Sequence, residues 1–323
     1  MSIRWGIMGT ANILTYGTIP GMKIADNCEI YAIAGRSEQK VNDFCRRYDI
    51  KIGYVGYDKL LEDPNIDAVY IPLPNNIHKE WVIKALKAGK HVLCEKPLAL
   101  NASEAEEMFN AAKENNVILM EAYAYLHSEY MKSLVEDVRS GIIGDVVYVD
   151  TAFLTQGYAE DFRLHKKLGG GMVYDLGCYC TTMILSLIDS DISYVKADAE
   201  MTDEGVDSFV GALLKFENGA RASFNVGMIL GVGSNSRYDR LFIHGTKGDI
   251  RSEVYYNQDG DVSYKIIKDG ETIIRNVHVN QNYKLEIENM NNAIMNNVET
   301  EISPEFSLKN ARLIDDILCK IGY

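Results

Sequence analysis

Short apolar runs alternate with amphipathic stretches along the first third of the chain. Five of these runs predict buried β-strands: IRWGIM, EIYAIAG, DAVYIPLP, HVLCE and VILMEAY. In the stretch IHKEWVIKALKAGK, Trp81, Ala85 and Leu86 stand at helical spacing. Helices between successive strands are typical of a parallel sheet with both faces covered. The pattern therefore predicts a doubly wound domain over residues 1–122.

Residues 123–323 contain longer runs in which apolar and polar residues alternate. Clear examples are DVVYVDTAFLT, FVGALLKFENGARASFNVGM, RLFIHGTKGDI and VSYKIIKDGETIIRNVHV. Within them, ENGA and KDGE are typical of hairpin turns. Helices are expected near residues 283–297 and 306–320. The predicted fold class is thus α/β, with a doubly wound domain followed by an α+β domain whose large sheet is mostly antiparallel.

Three local signals predict where helices of the first domain begin and end. Ser37 is a plausible N-cap of SEQKVNDFCRRY. Gly89 is suited to the position just after the C-cap of IHKEWVIKALK. Ser103 and Glu106 have the spacing of a capping box.

Composition and charge exclude some classes of protein. The chain has 323 residues, which is enough for two domains with cores of their own. Its formal charge is −13, from 33 basic and 46 acidic residues, whereas nucleic-acid-binding domains are usually basic. Its apolar runs are too short for a membrane span. Neither a nucleic-acid partner nor a membrane partner is expected.

The cysteines and the N-terminus favour a cytoplasmic protein. Six cysteines are scattered along the chain, and Cys178 and Cys180 are too close for a CxxC pair or a zinc knuckle. Reduced, buried thiols are therefore expected, and no metal site is predicted. The stretch MSIRWGIMGTA runs directly into a predicted strand and does not resemble a signal peptide.

The loop after the first strand has part of a dinucleotide-binding fingerprint. In GIMGTANIL, Gly9 fills the first glycine position, but Ala11 and Leu14 fill the other two. A simple strand-to-helix turn is the alternative interpretation. Alanine adds only one methyl group, and the helix would open with N–H groups facing a pyrophosphate. The predicted cofactor-binding residues of this loop are Gly9, Thr10, Ala11, Asn12 and Ile13.

The end of the second strand favours NADP. NAD sites usually place an acid there for the ribose 2′-hydroxyl, but this chain has Gly35 followed by Arg36 and Ser37. An arginine beside a hydroxyl suits a 2′-phosphate. We therefore predict NADP as the cofactor, with NAD as the alternative. The competing interpretation of Arg36 is a solvated surface residue.

The stretch CEKPLAL presents a lysine at the end of a predicted strand. The residue before a proline is restricted to extended backbone, so Pro97 limits the conformations of Lys96. The Lys96–Pro97 bond could also be cis at modest cost. Glu95 is expected to orient either the lysine or a nicotinamide. At the carboxyl end of a strand in a doubly wound sheet, this lysine is a candidate catalytic residue.

Several stretches together resemble the Gfo/Idh/MocA oxidoreductases. They are GTANI, PLPNNIHKEWVIKALKAGKHVLCEKPLA, MEAYAY, DFRLHKKLGGGMVYDLGCY and IHGTKG, in the family's order along nearly the whole chain. The resemblance implies a Rossmann domain at 1–122 and an open-faced α+β domain at 123–323 for substrate binding and oligomerisation. It also implies a homodimer or homotetramer formed through the sheet.

The resemblance implies roles for particular residues. The catalytic set would be Lys96, Asp175 and Tyr179. Further cofactor-binding residues would be Pro72, Leu73, Asn75, His78, Glu95, Lys96 and Arg163. Substrate-binding residues would be Lys96, Tyr123, Arg163, Asp175 and Tyr179. His78 could instead be a surface residue at a helix start, and Arg163 could form a surface salt bridge.

These residues predict an NAD(P)-dependent dehydrogenase, with NADP preferred, acting on a sugar, cyclic polyol or related diol. Removing hydride from an alcohol also requires loss of its hydroxyl proton, and Tyr179 could carry it if nearby positive charge lowers its pKa. Lys96 is the other candidate proton carrier. A non-catalytic NAD(P)-binding regulator of the same fold is the main alternative, and a redox-neutral glycosidase is a third.

Overall fold

The computed structural model describes residues 2–253 and 256–323. It contains two compact units. The first comprises Met1–Ser128 and Asn280–Leu308, and the second comprises Glu129–Val279 and Lys309–Tyr323. The predicted domains, 1–122 and 123–323, differ from this division, because the first unit extends to Ser128 and also includes the late segment Asn280–Leu308.

The first unit contains a six-stranded parallel sheet, as the alternating pattern predicted. Its strands are β1 (Ile3–Met8), β2 (Cys28–Gly35), β3 (Ile52–Val55), β4 (Ala68–Ile71), β5 (His91–Glu95) and β6 (Leu119–Ala122). They are ordered β3-β2-β1-β4-β5-β6, which is the doubly wound arrangement. The edge strand β3 was not predicted. It is only four residues long, IGYV, contains a glycine, and its residues are alternately half-buried and exposed.

The α-helices are α1 (Ile19–Ile24), α2 (Glu38–Tyr48), α3 (Asp58–Glu62), α4 (His78–Lys87), α5 (Ala102–Glu114), α6 (Glu129–Arg139), α7 (Cys178–Leu187), α8 (Asn282–Asn296) and α9 (Pro304–Ile321). Two π-helical segments, Leu14–Thr18 and Val173–Gly177, lead into α1 and α7. Short 3₁₀ turns occupy Asn75–Ile77, Ala124–His127, Phe162–Leu164 and Lys166–Leu168. Within the described ranges, no helix is both long and apolar enough to cross a membrane.

Two of the three predicted helix boundaries are confirmed. Ser37 caps α2 by accepting a hydrogen bond from the Lys40 N–H at 3.4 Å, and Gly89 follows α4 with φ of +74°. The predicted capping box was wrong. Asn101 is the N-cap of α5 instead and accepts a hydrogen bond from Glu104 N–H at 2.9 Å. Asparagine is as good an N-cap as serine, so α5 begins earlier than predicted, with Asn101 rather than Ser103 as its N-cap.

Helix α8 packs in the first unit, although its sequence position lies in the second half of the chain. The indole N–H of the fully buried Trp5 donates to Asn291 Oδ1 at 3.0 Å. The Asn291 amide donates to the Asp26 carbonyl at 3.0 Å. These bonds tie α8 to β1 and to the segment before β2. Contacts across such a long sequence separation leave no local pattern in the sequence.

The second unit contains an eight-stranded sheet that is mostly antiparallel, as predicted. Its strands are β7 (Val146–Thr155), β8 (Ile192–Met201), β9 (Asp207–Phe216), β10 (Arg221–Gly227), β11 (Arg237–Gly245), β12 (Gly248–Ser252), β13 (Gly260–Lys268) and β14 (Glu271–Val279). Their order is β14-β13-β12-β11-β7-β10-β9-β8, and only the described pair β7–β10 is parallel. Both predicted hairpins, β9–β10 and β13–β14, are present.

One face of this sheet is buried and the other is largely open. Along β9, Val210, Ala212 and Leu214 are buried, whereas the intervening Leu213 is 55% exposed. This alternation is typical of an antiparallel sheet with one covered face. Helix α7 contacts β7 and β10, and α6 contacts β14.

Candidate active site

The loop after β1 is shaped by Gly9. Its φ is +139°, a conformation that other residues rarely adopt, and a Cβ there would lie 3.3 Å from Leu73 Cδ2. The carbonyls of Ala11 and Asn12 accept hydrogen bonds from Leu14 and Thr15, which forms the first helical turn. Ile13 is the N-cap of the π-helical segment. The predicted loop residues therefore stand at the head of a helix at the carboxyl edge of the sheet.

Arg36 and Ser37 lie where β2 ends and α2 begins. Arg36 is exposed and contacts the buried Tyr57, whose pKa is raised by burial and lowered by the guanidinium. Thr10 lies beside the end of β2, since a Cβ on Gly35 would be 3.2 Å from Thr10 Cγ2. The first two strand ends thus bring the glycine loop and the arginine to the same part of the unit.

The segment after β4 is more deeply buried than the sequence indicated. Leu73 and Asn75 are each 8% exposed, and His78 is 0% exposed. The His78 ring lies between two backbone carbonyls, with Nε2 at 2.7 Å from Leu73 O and Nδ1 at 3.0 Å from Pro97 O. Burial lowers the pKa of His78. His78 is therefore neither a surface residue nor open to direct contact with a cofactor.

Lys96 follows β5 directly, and its peptide bond to Pro97 is cis. Its backbone N–H donates to Glu95 Oε2 at 3.2 Å. The other oxygen of Glu95 accepts a hydrogen bond from Tyr70 OH, which in turn accepts one from Thr18 Oγ1 at 3.0 Å. Glu95 is thus fixed between the lysine backbone and a buried hydroxyl pair.

Glu121 was missed by sequence reasoning. It lies in β6, is 3% exposed, and accepts a hydrogen bond from Leu98 N–H at 2.9 Å. Burial raises the pKa of Glu121 to about 7, and Ser307, Leu98, Tyr123 and the charge of Lys96 oppose that rise. The signal that could have found it is an acid inside the apolar strand LMEA. Burying a carboxyl group requires specific partners.

Tyr123 lies next to Glu121 and is 0% exposed. Its ring packs edge-on to Tyr125 at a centroid distance of 6.5 Å. Because the side chain is enclosed within the first unit, we do not retain Tyr123 among the proposed substrate contacts.

In the second unit, the structure brings Arg163 and Asp175 together. The Arg163 Nε donates to Asp175 Oδ2 at 2.6 Å, and its Nη1 donates to Asp161 Oδ1 at 2.9 Å. Burial lowers the pKa of Arg163, but the Asp175 carboxylate outweighs this effect and the net direction is upward. The Arg163 side chain is 25% exposed and that of Asp175 12%, so this ion pair is half-buried rather than a loose surface contact.

Tyr179 has different partners in the same unit. Its hydroxyl oxygen accepts a hydrogen bond from Asn257 Nδ2 at 3.3 Å. Its ring packs against Phe153 and Tyr256, at centroid distances of 5.7 and 5.1 Å. Asn257 was not identified from the sequence, and no spacing relative to Tyr179 would have revealed it.

The backbone that carries Asp175 and Tyr179 is not a plain α-helix. Asp175 lies in the π-helical segment and Tyr179 in α7. The carboxylate of the buried Asp207, at the start of β9, accepts a hydrogen bond from Val173 N–H at 2.6 Å. Burial raises the pKa of Asp207 to about 6. π-Helical turns occur frequently at functional sites.

Comparison with known proteins agrees with this geometry. Residues 3–123 match the model of an oxidoreductase family with an NAD-binding Rossmann fold, and residues 131–251 match the GFO/IDH/MocA C-terminal domain. A D-xylose 1-dehydrogenase (NADP(+)) of Haloferax volcanii is 31% identical, over 98% of this chain and 96% of its own length. The chain belongs to the Gfo/Idh/MocA family of oxidoreductases.

Two further proteins that are similar to this chain extend the comparison. A trans-1,2-dihydrobenzene-1,2-diol dehydrogenase of Xenopus laevis is 30% identical, over 78% of this chain and 75% of its own. The crystal structure of a 3-ketoreductase from Actinomadura kijaniata, in complex with NADP and TDP-benzene, has a TM-score of 0.92 and 26% identity. It covers 99% of this chain and 98% of its own.

The first unit of this Gfo/Idh/MocA protein fits a nicotinamide dinucleotide. The bare Cα of Gly9 leaves the backbone accessible where a side chain would crowd Leu73, and the loop N–H groups head a helix. Gly9, Thr10, Ala11, Asn12 and Ile13 would hold the phosphates. In the part of the chain that the structure describes, no group of three or more His, Cys, Asp or Glu side chains could hold a metal ion.

Proposed function

We propose that the protein is an NAD(P)-dependent dehydrogenase that acts on a CH–OH group of a sugar, cyclic polyol or related diol. The observation that supports this most directly is Lys96, which is presented at the carboxyl end of β5 by a turn that buried side chains hold. In an open parallel sheet, that edge is where ligands bind.

The nicotinamide supplies the hydride acceptor or donor when it is bound. The protein must then move one proton, because oxidation of an alcohol releases its hydroxyl proton together with the hydride. The Lys96 ammonium would stabilise negative charge on the reacting oxygen. Tyr179, oriented by Asn257, would accept the proton as the phenolate during oxidation and return it as the phenol during reduction. Either Lys96 or Tyr179 is the immediate proton carrier.

Asp175 and Arg163 have a different proposed role. A carboxylate accepts several hydrogen bonds, so Asp175 would accept one from a substrate hydroxyl while the Arg163 Nε donates to its Oδ2. The ion pair holds Asp175 in its ionised form and fixes its orientation. We therefore assign this pair to binding the substrate rather than to proton transfer.

NADP is the proposed preferred cofactor. Arg36 is exposed after β2, Ser37 caps α2 beside it, and the preceding Gly35 carries no acid that would repel a 2′-phosphate. Two of the similar proteins are named with NADP. Fluorescence titration with NADP and NAD should show at least about tenfold tighter binding of NADP, and equal affinities would contradict the preference.

The substrate class rests on the similar proteins. They act, by name, on D-xylose and on a dihydrobenzenediol, both of which have neighbouring hydroxyl groups. The test is to incubate the protein with NADP or NAD and a panel of pyranoses, inositols and cyclic diols, and to follow absorbance of the reduced nicotinamide. Cofactor binding without reduction by any compound in the panel would favour the regulator over the enzyme.

The open face of the second sheet supports a homodimer or homotetramer. Leu213 pairs with Lys196 and Ser223 on the neighbouring strands, and this face also carries Tyr194, which is 48% exposed. Exposed apolar side chains on a broad sheet face are typical of an interface. Sedimentation at micromolar concentration should show a dimer or larger species, and a monomer would contradict the proposal.

A cytoplasmic location is also proposed. The thiols of Cys94, Cys178 and Cys180 are buried. Buried thiols are typical of a reducing compartment. Fractionation of the native cells with an antibody against the chain would test this location.

A further inference from the structure

The turn that carries Lys96 is held by two buried side chains from different elements. His78 begins α4, and Glu121 lies in β6. His78 Nδ1 is 3.0 Å from the Pro97 carbonyl oxygen, and Glu121 Oε1 accepts the Leu98 N–H at 2.9 Å. Both side chains lie in the first unit, and both are almost fully buried.

The chemistry of the turn makes these two contacts important. Proline has no N–H, so Pro97 can be anchored through its backbone only by its carbonyl. Pro97 and Leu98 are buried, and buried backbone groups need hydrogen-bond partners. Here both partners are side chains, so the position of the turn depends on the identities of residues 78 and 121.

His78 also joins this turn to the segment after β4. Its second nitrogen, Nε2, is 2.7 Å from the Leu73 carbonyl oxygen. One imidazole therefore lies between the predicted cofactor segment at residues 72–75 and the lysine turn, with one nitrogen facing each. Both oxygens are acceptors, so the ring donates to both at once only as the imidazolium, and the neutral ring donates to one of them.

We propose that His78 and Glu121 are positioning residues, which fix the backbone of Lys96–Pro97–Leu98 and, through the other nitrogen of His78, couple it to the segment at Leu73. The catalytic part of this proposal rests on the proposed role of Lys96. The structural part does not, because it concerns the hydrogen bonds of the turn.

Amide substitutions separate the two contacts of His78. The nitrogen of an asparagine side chain takes the place of Nδ1, and that of a glutamine takes the place of Nε2. His78→Asn should therefore keep a donor toward the Pro97 carbonyl and remove the one toward Leu73, and His78→Gln should do the reverse. Glu121→Gln keeps an acceptor for Leu98 N–H, whereas Glu121→Met removes it. His91→Gln, at the opposite end of β5, is the matched control.

The first readout is hydrogen exchange of the Leu98 amide in the full-length protein. We expect exchange at least about tenfold faster in Glu121→Met and His78→Gln. The amide should stay protected in Glu121→Gln, His78→Asn and His91→Gln. Unchanged protection in both Glu121→Met and His78→Gln would overturn the proposal, whatever their activity.

The second readout is turnover and cofactor affinity. Small misplacement of a catalytic group costs up to about a hundredfold in rate. We expect kcat to fall about tenfold or more in Glu121→Met and His78→Gln with cofactor affinity retained. His78→Asn should keep kcat and bind cofactor several-fold more weakly. If Lys96→Met is inactive but these variants turn over normally, the positioning role is wrong. If Lys96→Met itself stays active, the proposed function is wrong. Hydrogen exchange of the Leu98 amide then tests by itself whether His78 and Glu121 hold the turn.

Discussion

The two units hold their proposed functional segments by the same kind of hydrogen bond, but on different backbone structures. Each buries one carboxyl group that accepts a backbone N–H from the segment carrying a proposed catalytic residue: Glu121 binds Leu98 N–H, and Asp207 binds Val173 N–H. In the first unit the segment is a turn at the end of a parallel strand. In the second it is the start of a π-helical segment that leads into α7.

The two segments differ in what positions their functional residues. Lys96 follows a buried strand, so the sheet itself brings it to the ligand-binding edge. Asp175 and Tyr179 depend instead on contacts between separate parts of the second unit, namely Arg163 with Asp175 and Asn257 with Tyr179. Local sequence can indicate the first kind of placement but not the second.

The largest expected effect tests whether both units contribute to proton transfer. Lys96→Met and Tyr179→Phe should each lower kcat by about 10²–10⁴, because acid–base assistance is commonly worth that much. The double variant should lose less than the product, since the two residues would act on one step. Steady-state kinetics with Lys113→Met as control would measure this. Near-parent turnover in either variant would show that the substituted residue takes no part in proton transfer.

The buried carboxyl groups should make stability depend on pH in both units. The pKa of Glu121 rises from 4.5 to about 7 in the fold, and that of Asp207 rises from 3.8 to about 6. As pH rises through the ordinary value, the unfolded chain loses its proton first. The free energy of unfolding therefore falls by about 3 kcal/mol for each group as the pH rises to the folded pKa, and it is constant above that pH.

Glu121→Gln and Asp207→Asn should each flatten their part of this pH dependence, because the amide keeps an acceptor but does not ionise. Urea unfolding midpoints at pH 4, 5.5 and 8 would measure it, with the exposed Glu106→Gln as control. A variant whose pH dependence equals that of the parent would show that the carboxyl group ionises as freely in the fold as in the unfolded chain.

Cofactor affinity should depend on Arg36 in the first unit and not on Tyr179 in the second. Arg36→Ala should weaken NADP binding about tenfold and leave NAD binding nearly unchanged, because a charge-assisted bond to phosphate is worth about 1.5–3 kcal/mol. Tyr179→Phe should change neither. Fluorescence titrations of both cofactors would decide, with Arg46→Ala, an exposed arginine of α2, as control. Equal losses for NADP and NAD would contradict recognition of the 2′-phosphate.

The smallest expected effect concerns only the second unit. Leu213→Glu places a charge on the open sheet face and should weaken self-association without changing the fold. Sedimentation over a range of concentrations would show it. Val298→Glu, at a similarly exposed position of the first unit, should leave the assembly unchanged. An identical response of the two variants would place the interface elsewhere.

Local signals in the sequence were sufficient for most of the first unit. Apolar runs predicted five strands of its sheet, and Ser37 and Gly89 marked helix ends correctly. The half-exposed β3 was missed because IGYV is short and contains a glycine, and the cap of α5 was misplaced because two good capping residues stand close together. The position of α8 could not be predicted, since it depends on bonds from Trp5 and to the Asp26 carbonyl.

The sequence by itself determined the family, the parallel sheet and the place of Lys96, because these follow from hydrophobic periodicity, strand ends and a proline. The tertiary structure decided which groups surround the proposed catalytic residues. It buried His78 between two carbonyls, placed Glu121 on the lysine turn, and joined Asn257 to Tyr179. A hydrogen bond requires atoms to meet in space, and residues far apart in the chain meet only when the fold brings their elements together.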